Sequence, residues 1–283
     1  MAVCNPQSPF DAAIFDMDGL LVDSEPLWHE AEVEVLGGLG VPIAQGDARE
    51  TKGVFVREVT RLWYGRHPWE GPSTDEVATR IVDRVIELIA QEGRLQPGVD
   101  KAISLCRDHG LALAVASSSE HRLIGFVLER FGLAGQFRFA HSAEEEPYGK
   151  PHPAVFLTTA ERLGVAPERC LVWEDAPAGV LAAKAARMAC IAVPAPQERD
   201  QPVFGIADAV LSSLEEADEA LWRRLVSARA AEEVGGSQQV GEGGPQAEPG
   251  CVEPGGVEPG GVEPGSVEPG AVGPATVCTP RSQ

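Results

Sequence analysis

The chain has 283 residues, of which 43% are hydrophobic, so it is long enough to bury the core of one large domain or two moderate ones. Its 43 acidic and 23 basic side chains give a formal charge of −20, which disfavours nucleic acid or an anionic membrane surface as a partner. The six cysteines form no C-x-x-C pair, which is typical of reduced thiols and argues against a disulfide or zinc framework.

The first predicted element is a buried strand over "AAIFDM", and it ends at two acidic residues that are separated by one position. In an extended chain Asp16 and Asp18 lie on the same side, while Met17 turns away. Gly19 then lets the chain turn sharply beside a ligand. The pattern predicts that both carboxylates point into one cleft.

The segment after this strand is much longer than a single crossover helix requires. Ser24 followed by Pro26 predicts a helix start, and "GGLG" predicts the end of that helix. A second helix is predicted over residues 74–92, because one stripe of it is apolar. The residues of this stripe are Val77, Ile81, Val85, Leu88 and Ile89. We therefore expect a helical cap domain over residues 23–92.

Three further apolar runs, "LALAVASSS", "CLVWED" and "CIAVPAP", predict strands, and a helix-like stretch follows each of them. This alternation is typical of an α/β fold with a mainly parallel sheet that is covered on both faces. The core domain is expected to comprise residues 10–22 and 93–228. Residues 229–283 are rich in Gly, Pro and Glu and contain a pentapeptide repeat of the "VEPGG" type, which predicts a disordered tail.

The ends of the predicted strands carry the polar residues of a candidate site. In open α/β sheets, ligands bind beyond the carboxyl ends of the strands. Ser117 ends the second predicted strand, Glu174 and Asp175 end a later one, and "GKPHP" holds Lys150 in a loop. Converging carboxylates repel by about 4 kcal/mol per pair at 4 Å and an effective dielectric near 20, so a cation is required. Oxygen ligands suit Mg²⁺, and Lys150 can hold a phosphate oxygen.

The two acidic residues of the first strand can then divide the chemistry between them. Asp16, ionised and bound to the metal, can attack phosphorus and form an aspartyl-phosphate. Asp18 can give a proton to the leaving oxygen and then take one from the attacking water. The sequence thus predicts a nucleophile at Asp16 and a general acid and base at Asp18.

Four motifs, "DMDG", the serine of "ASSS", the lysine of "GKPHP" and the acidic pair of "WEDAPAG", occur in an order and spacing that resemble a known family. The family is the haloacid-dehalogenase superfamily, in its Mg²⁺-dependent phosphatase branch, and the resemblance covers residues 11 to 222. It implies a Rossmann-like core, and the inserted helices look like the cap that closes over the substrate. "DMDGLLVDSEPLW" and "LWYGRHPWEGPS" further resemble the sugar-phosphate phosphatases of this branch.

This resemblance implies a set of site residues and a substrate class. The metal, Mg²⁺ or a substitute such as Mn²⁺ or Co²⁺, is expected at Asp16, Asp18 through its carbonyl, Asp175 and the adjacent Glu174. The substrate is expected to contact Met17, Ser117, Ser118, Lys150, Glu25 and Lys52, with Arg57 also facing the sugar. The implied substrates are small sugar or hexitol phosphates such as 2-deoxyglucose-6-phosphate, mannitol-1-phosphate and sorbitol-6-phosphate.

A sugar phosphomutase of the β-phosphoglucomutase type is the alternative, since such enzymes resemble this chain throughout. They carry a histidine where Trp28 aligns and a lysine where Glu120 stands, and both basic groups serve a second phosphate. Their absence here favours hydrolysis. A phosphate-storing receiver module is disfavoured, because receivers have no inserted helical segment.

We expect a cytoplasmic monomer that binds neither nucleic acid nor membrane. No apolar run reaches the roughly 18 residues of a membrane span, and "MAVCNPQSPF" has no secretory-signal pattern.

Overall fold

A computed structural model of the protein describes residues 8–43 and 51–237. Its centre is a sheet of six parallel strands in the order β3-β2-β1-β4-β5-β6. The strands are β1 (Ala12–Phe15), β2 (Ala112–Ser117), β3 (Ala140–Ser142), β4 (Cys170–Glu174), β5 (Ala189–Ala192) and β6 (Ala209–Val210). The order reverses between β1 and β4, which is the arrangement of a doubly wound α/β fold.

The central strands are buried on both faces, as their continuous apolar sequences predict. Ile14 of β1 stands opposite Ala114 of β2 and Val172 of β4. On the other face, the rings of Phe15 and Trp173 stack with centroids 5.6 Å apart. Side chains of one strand therefore alternate between two apolar cores, one on each side of the sheet.

Helices cover both of these cores. The helices of the core domain are α4 (Val99–Asp108), α5 (His121–Arg130), α6 (Ala154–Leu163), α7 (Pro177–Ala185) and α8 (Glu219–Ser237). Helices α4, α5 and α8 pack on the face that carries Phe15, and α6 and α7 pack on the face that carries Ile14. The predicted α/β fold is confirmed.

Three helices of the described chain lie between β1 and α4, in what we call the inserted segment, residues 23–92. They are α1 (Glu25–Gly37), α2 (Val56–Arg66) and α3 (Thr74–Glu92). The predicted helix over residues 74–92 is confirmed, and its apolar stripe is buried. Its start is fixed by reciprocal hydrogen bonds between Ser73 and Glu76, because the Ser73 hydroxyl accepts from the Glu76 amide and the Glu76 carboxylate accepts from the Ser73 amide.

Two features outside the site differ from those that the sequence predicts. Strands β3 and β6 were not predicted, because three and two residues are too short to stand out as apolar runs. The tail was predicted to begin at residue 229, but α8 continues to Ser237. The stretch "SARAAEE" is rich in strong helix formers, and Arg229 donates a 2.7 Å hydrogen bond to the Glu168 carbonyl. The pentapeptide repeat lies outside the described residues.

Across residues 8–43 and 51–237, no helix combines the length and the apolar character that crossing a bilayer requires.

Candidate active site

The candidate site lies at the carboxyl ends of β1, β2 and β4, where the order of the strands reverses. Asp16 directly follows β1, Ser117 is the last residue of β2, and Glu174 and Asp175 stand at the end of β4. Open α/β sheets bind ligands at this point because neighbouring loops diverge there and leave a crevice. The structure brings together the strand-end residues that the sequence singled out.

Lys150 is the buried cation of the site. Its ammonium lies 2.6 Å from Asp16 Oδ1 and 2.6 Å from Glu174 Oε1, and it also donates to the Ala116 carbonyl at 3.3 Å. Burial alone would lower the pKa of Lys150, but the two carboxylates outweigh it and raise the pKa above its usual range. Lys150 therefore stays protonated next to the predicted nucleophile.

Three buried carboxylates beside Lys150 can hold a metal ion. One oxygen each of Asp16, Glu174 and Asp175 lies within 4.8 Å of the others.

The pKa values of two of these carboxyl groups are raised. Burial raises the pKa of Asp16, and the neighbouring carboxylates raise it further, while Lys150 opposes both effects. Burial likewise raises the pKa of Asp175 to about 8. Asp175 Oδ1 is buried without a hydrogen-bond partner. An all-oxygen donor set with excess negative charge fits a hard divalent cation such as Mg²⁺.

Both carboxylate oxygens of Glu174 are fixed by contacts within the protein. Its Oε2 accepts hydrogen bonds from the amides of Asp175 and Ala176, at 2.9 and 3.0 Å, while Oε1 faces Lys150. These amides precede α7, so Glu174 fixes the turn that leads into this helix. Gly179 in α7 packs so close that a Cβ there would lie 1.7 Å from Glu174 Oε1.

Asp18 accepts three side-chain hydrogen bonds. Ser24 Oγ and Trp28 Nε1 donate to Oδ1 at 2.7 and 2.9 Å, and Ser119 Oγ donates to Oδ2 at 2.6 Å. Ser24 was expected to cap α1, but its hydroxyl bonds to Asp18 and makes no cap bond at the described helix start. Ser119 is not among the site residues that the sequence predicts. A pattern search on serine alone could not distinguish it from its neighbours.

The other two serines of the motif also line the cleft. Ser117 Oγ accepts a hydrogen bond from the Ser119 amide at 3.0 Å. Ser118 Oγ donates to the Gly53 carbonyl at 2.7 Å and so joins the sheet end to the inserted segment. Met17 is buried among apolar side chains, as its alternate position in the strand predicts, and it is not among the described residues that line the cleft.

The inserted segment places a second buried ammonium beside the acidic cluster. Lys52 Nζ lies 2.6 Å from Asp175 Oδ2 and 2.8 Å from Glu198 Oε2. Burial would lower the pKa of Lys52, but Asp175, Glu25 and Glu198 outweigh it and raise the pKa. Burial raises the pKa of Glu25 to about 8, although Lys52 opposes that shift. Glu198 follows β5 in an ordinary polar loop, and no motif in the sequence points to it.

Arg57 faces away from the cleft. Its guanidinium pairs with Glu120 at 3.2 Å and with Asp75 at 3.4 Å, and it is not among the described residues that line the cleft. Glu120 also accepts from Arg122 at 2.9 Å. Arg57 therefore joins the inserted segment to the start of α5.

One cleft lies between the sheet end and the inserted segment. Its floor is formed by Asp16, Asp18, Ser117, Ser118 and Ser119, and its walls by Glu25, Trp28, His29, Glu32, Thr51, Lys52, Gly53, Val54, Val56 and Val59. The two sides touch through the Ser118–Gly53, Lys52–Asp175 and Arg122–Asp83 contacts. A ligand at Asp16 would therefore be covered by the inserted segment.

Fold and site together define a doubly wound α/β enzyme with an acidic site at its switch point. Residues 10–187 match the family model of haloacid dehalogenase-like hydrolases. The chain belongs to this family, so the predicted family is confirmed.

Relatives within this family carry more specific names. Hexitol phosphatase B of Escherichia coli strain K12 is 48% identical over 206 residues, which are 72% of this chain and 93% of the relative. A phosphorylated carbohydrates phosphatase of Thermotoga maritima is 32% identical over 62% of this chain and 81% of its own length. The crystal structure of a β-phosphoglucomutase from Clostridium difficile has a TM-score of 0.70 at 23% identity, covers 78% of this chain and 99% of its own, and shows a shared fold.

Proposed function

We propose that the protein is a Mg²⁺-dependent phosphatase that hydrolyses small sugar or hexitol phosphates through an aspartyl-phosphate. The observation that carries the proposal is the position of Lys150 between Asp16 and Glu174, with the unpartnered oxygen of Asp175 nearby. This arrangement combines a carboxylate nucleophile, a fixed cation and a place for a divalent ion. The names of the two phosphatase relatives support the substrate class.

The first half of the reaction transfers the phosphoryl group to the protein. A carboxylate oxygen of Asp16 attacks phosphorus while the bond between phosphorus and the sugar oxygen breaks. Asp18 gives its proton to that leaving oxygen, so the products are the free sugar alcohol and an aspartyl-phosphate.

The second half regenerates Asp16. The Asp18 carboxylate takes a proton from water as the water oxygen attacks phosphorus, and the bond from phosphorus to Asp16 breaks. Inorganic phosphate leaves, and Asp18 again carries a proton. Both residues line the cleft, as these roles require.

Positive charge and hydrogen-bond donors stabilise the transferring group. Lys150 and the hydroxyls of Ser117 and Ser118 would hold phosphoryl oxygens, with Ser118 exchanging its Gly53 contact for the substrate. Asp16, the Asp18 carbonyl, Glu174 and Asp175 would hold Mg²⁺, or Mn²⁺ or Co²⁺ in its place, and the ion supplies neutralising charge. The inserted segment acts as a cap that excludes water during transfer.

A phosphomutase is the alternative, and a structure of that name shares the fold. A mutase must hold a second phosphate, which favours basic groups in the cap. At the positions in question this chain has Trp28, whose indole can only donate a hydrogen bond, and Glu120, which is anionic and bound to Arg57 and Arg122. These contacts favour hydrolysis.

The test is phosphate release from sorbitol-6-phosphate, mannitol-1-phosphate and 2-deoxyglucose-6-phosphate, with Mg²⁺ and with EDTA. We expect release that EDTA abolishes, and no release by Asp16→Asn of unchanged circular dichroism. Asp23→Asn, which changes an exposed carboxylate of the inserted segment, is the matched control and should retain activity. Wild-type turnover by Asp16→Asn would refute the proposal. Conversion of β-glucose-1-phosphate with a bisphosphate primer into glucose-6-phosphate would identify a mutase instead.

A further inference from the structure

Helix α1 turns a stripe of polar side chains toward the cleft. Glu25, His29 and Glu32 are spaced by four and three residues, so they share one face of the helix. All three line the cleft. Leu27 and Ala31 lie on another face of α1 and are buried in the apolar core. Glu32 is buried and Glu25 and His29 are half-buried, so this face of α1 places polar groups in the cleft and not in bulk water.

Two groups of this stripe have no partner in the described chain. Glu32 is only 6% exposed, yet its carboxylate makes no hydrogen bond or ion pair with any described residue. The Nδ1 atom of His29 is also buried without a hydrogen-bond partner. Burial raises the pKa of Glu32 to about 7. A buried polar atom without a partner is costly, so a ligand that bonds to His29 Nδ1 would relieve that cost, and the Glu32 carboxyl group on the same helix face can bond to the same ligand.

The opposite wall of the cleft is apolar, because Val54, Val56 and Val59 line it. A ligand between these walls needs carbon atoms on one side and hydroxyl groups on the other. Lys52 is the ammonium group among the described wall residues, and its ion pairs with Asp175 and Glu198 already occupy it. A ligand in the cleft therefore finds no unpaired ammonium group on these described walls. A second phosphate would therefore face the carboxyl groups of Glu25 and Glu32, which offer no positive charge to hold it.

We propose that Glu32 and His29 bind the hydroxyl groups at the unphosphorylated end of the substrate and thereby select monophosphates with a polyol tail. Glu32 accepts hydrogen bonds from hydroxyls, and His29 Nδ1 donates or accepts according to its tautomer. The proposal rests on the proposed phosphatase function and assigns the part of the cleft beyond Asp16 and Asp18.

The experiment compares two esters that share a phosphate but differ in the tail, sorbitol-6-phosphate and phenyl phosphate. Glu32→Gln keeps the shape of the side chain and removes its charge. We expect the ratio of kcat/KM for sorbitol-6-phosphate to that for phenyl phosphate to fall about 10- to 100-fold, as for loss of hydrogen bonds to a charged group. His29→Ala should lower the ratio in the same direction. Glu30→Gln is the matched control, because Glu30 is exposed on the outer face of α1 and faces Arg84 at 3.9 Å.

Product inhibition gives a second readout that does not depend on the chemical step. The inhibition constant of sorbitol should rise about tenfold in Glu32→Gln, while that of inorganic phosphate should stay within twofold. A wild-type kcat/KM ratio in Glu32→Gln, or an equal loss for both esters, would overturn the assignment of Glu32. If the wild-type protein released no phosphate from either ester, the proposed function itself would fail, and this result is seen before any variant is compared.

Discussion

The indole N–H of Trp28 donates a 2.9 Å hydrogen bond to Asp18 Oδ1, which ties helix α1 to the proposed acid and base. Ser24 Oγ donates to the same oxygen, and Ser119 Oγ binds the other one. An indole N–H can only donate, so Trp28 can orient the carboxylate but cannot relay a proton. We infer that Trp28 is a positioning residue that couples the inserted segment to acid–base catalysis.

Trp28→Phe should lower kcat by roughly tenfold, because Asp18 loses one of the donors that fix its orientation and acid–base catalysis depends on geometry. The KM for phenyl phosphate should change less than kcat. Steady-state kinetics measure both constants. Trp69→Phe is the control, since the Trp69 indole donates a bond of equal length to the Pro72 carbonyl within the inserted segment. Equal kcat values for the two variants would contradict a positioning role.

Lys150→Met should destabilise the protein by about 3 to 5 kcal/mol at pH 7 without metal, because it leaves buried Asp16 and Glu174 without their cation. Urea unfolding measures the free energy. Asp16, whose pKa burial already raises, then takes up a proton on folding more readily, so the loss should grow as pH rises from 5 to 8. Lys184→Met removes a more exposed ion pair with Asp208 and should cost no more than about 1 kcal/mol. Similar losses in both variants would show that Lys150 does not neutralise the site.

Most of the fold follows from local patterns in the sequence. The buried strands β1, β2, β4 and β5 are continuous apolar runs, and parallel pairing follows from the helices between them. The two short strands could not be predicted, because β3 and β6 are fixed by pairing with β2 and β5 rather than by their own composition. The predicted tail begins at residue 229, before the end of α8, because the valine and glycine residues near the end of this helix match the composition of the repeat that follows.

The site was predictable where residues stand at the ends of strands. The carboxyl ends of parallel strands lie at one edge of the sheet, which brings together Asp16, Lys150, Glu174 and Asp175. Contacts between the inserted segment and the core were not predictable. The pairing of Lys52 with Glu198 joins residues 146 positions apart, and no local periodicity encodes such an approach.

Gly179→Ala should destabilise the protein by about 1 to 3 kcal/mol and lower activity, because the added methyl group would overlap Glu174 Oε1. Gly125→Ala is the matched control, since Gly125 also lies inside a helix but has no atom within 4 Å of the added Cβ. That change should stabilise the protein by roughly 0.5 to 1 kcal/mol. Urea unfolding and phosphate release report both effects. Stabilisation by Gly179→Ala would contradict the close packing around Glu174.

Glu32→Gln should stabilise the protein at pH 8 but hardly at pH 4. Burial raises the pKa of Glu32 from 4.5 to about 7, so the folded state binds more protons than the unfolded state between these values. Stability is therefore lost as pH rises through this range, by up to about 3 kcal/mol at 1.36 kcal/mol per pKa unit. Glutamine does not ionise and escapes this loss. Urea unfolding of both proteins from pH 4 to 8 tests the prediction, with Glu30→Gln as the exposed control. A constant difference between Glu32→Gln and wild type across this range would show that the Glu32 carboxyl does not titrate between 4.5 and 7.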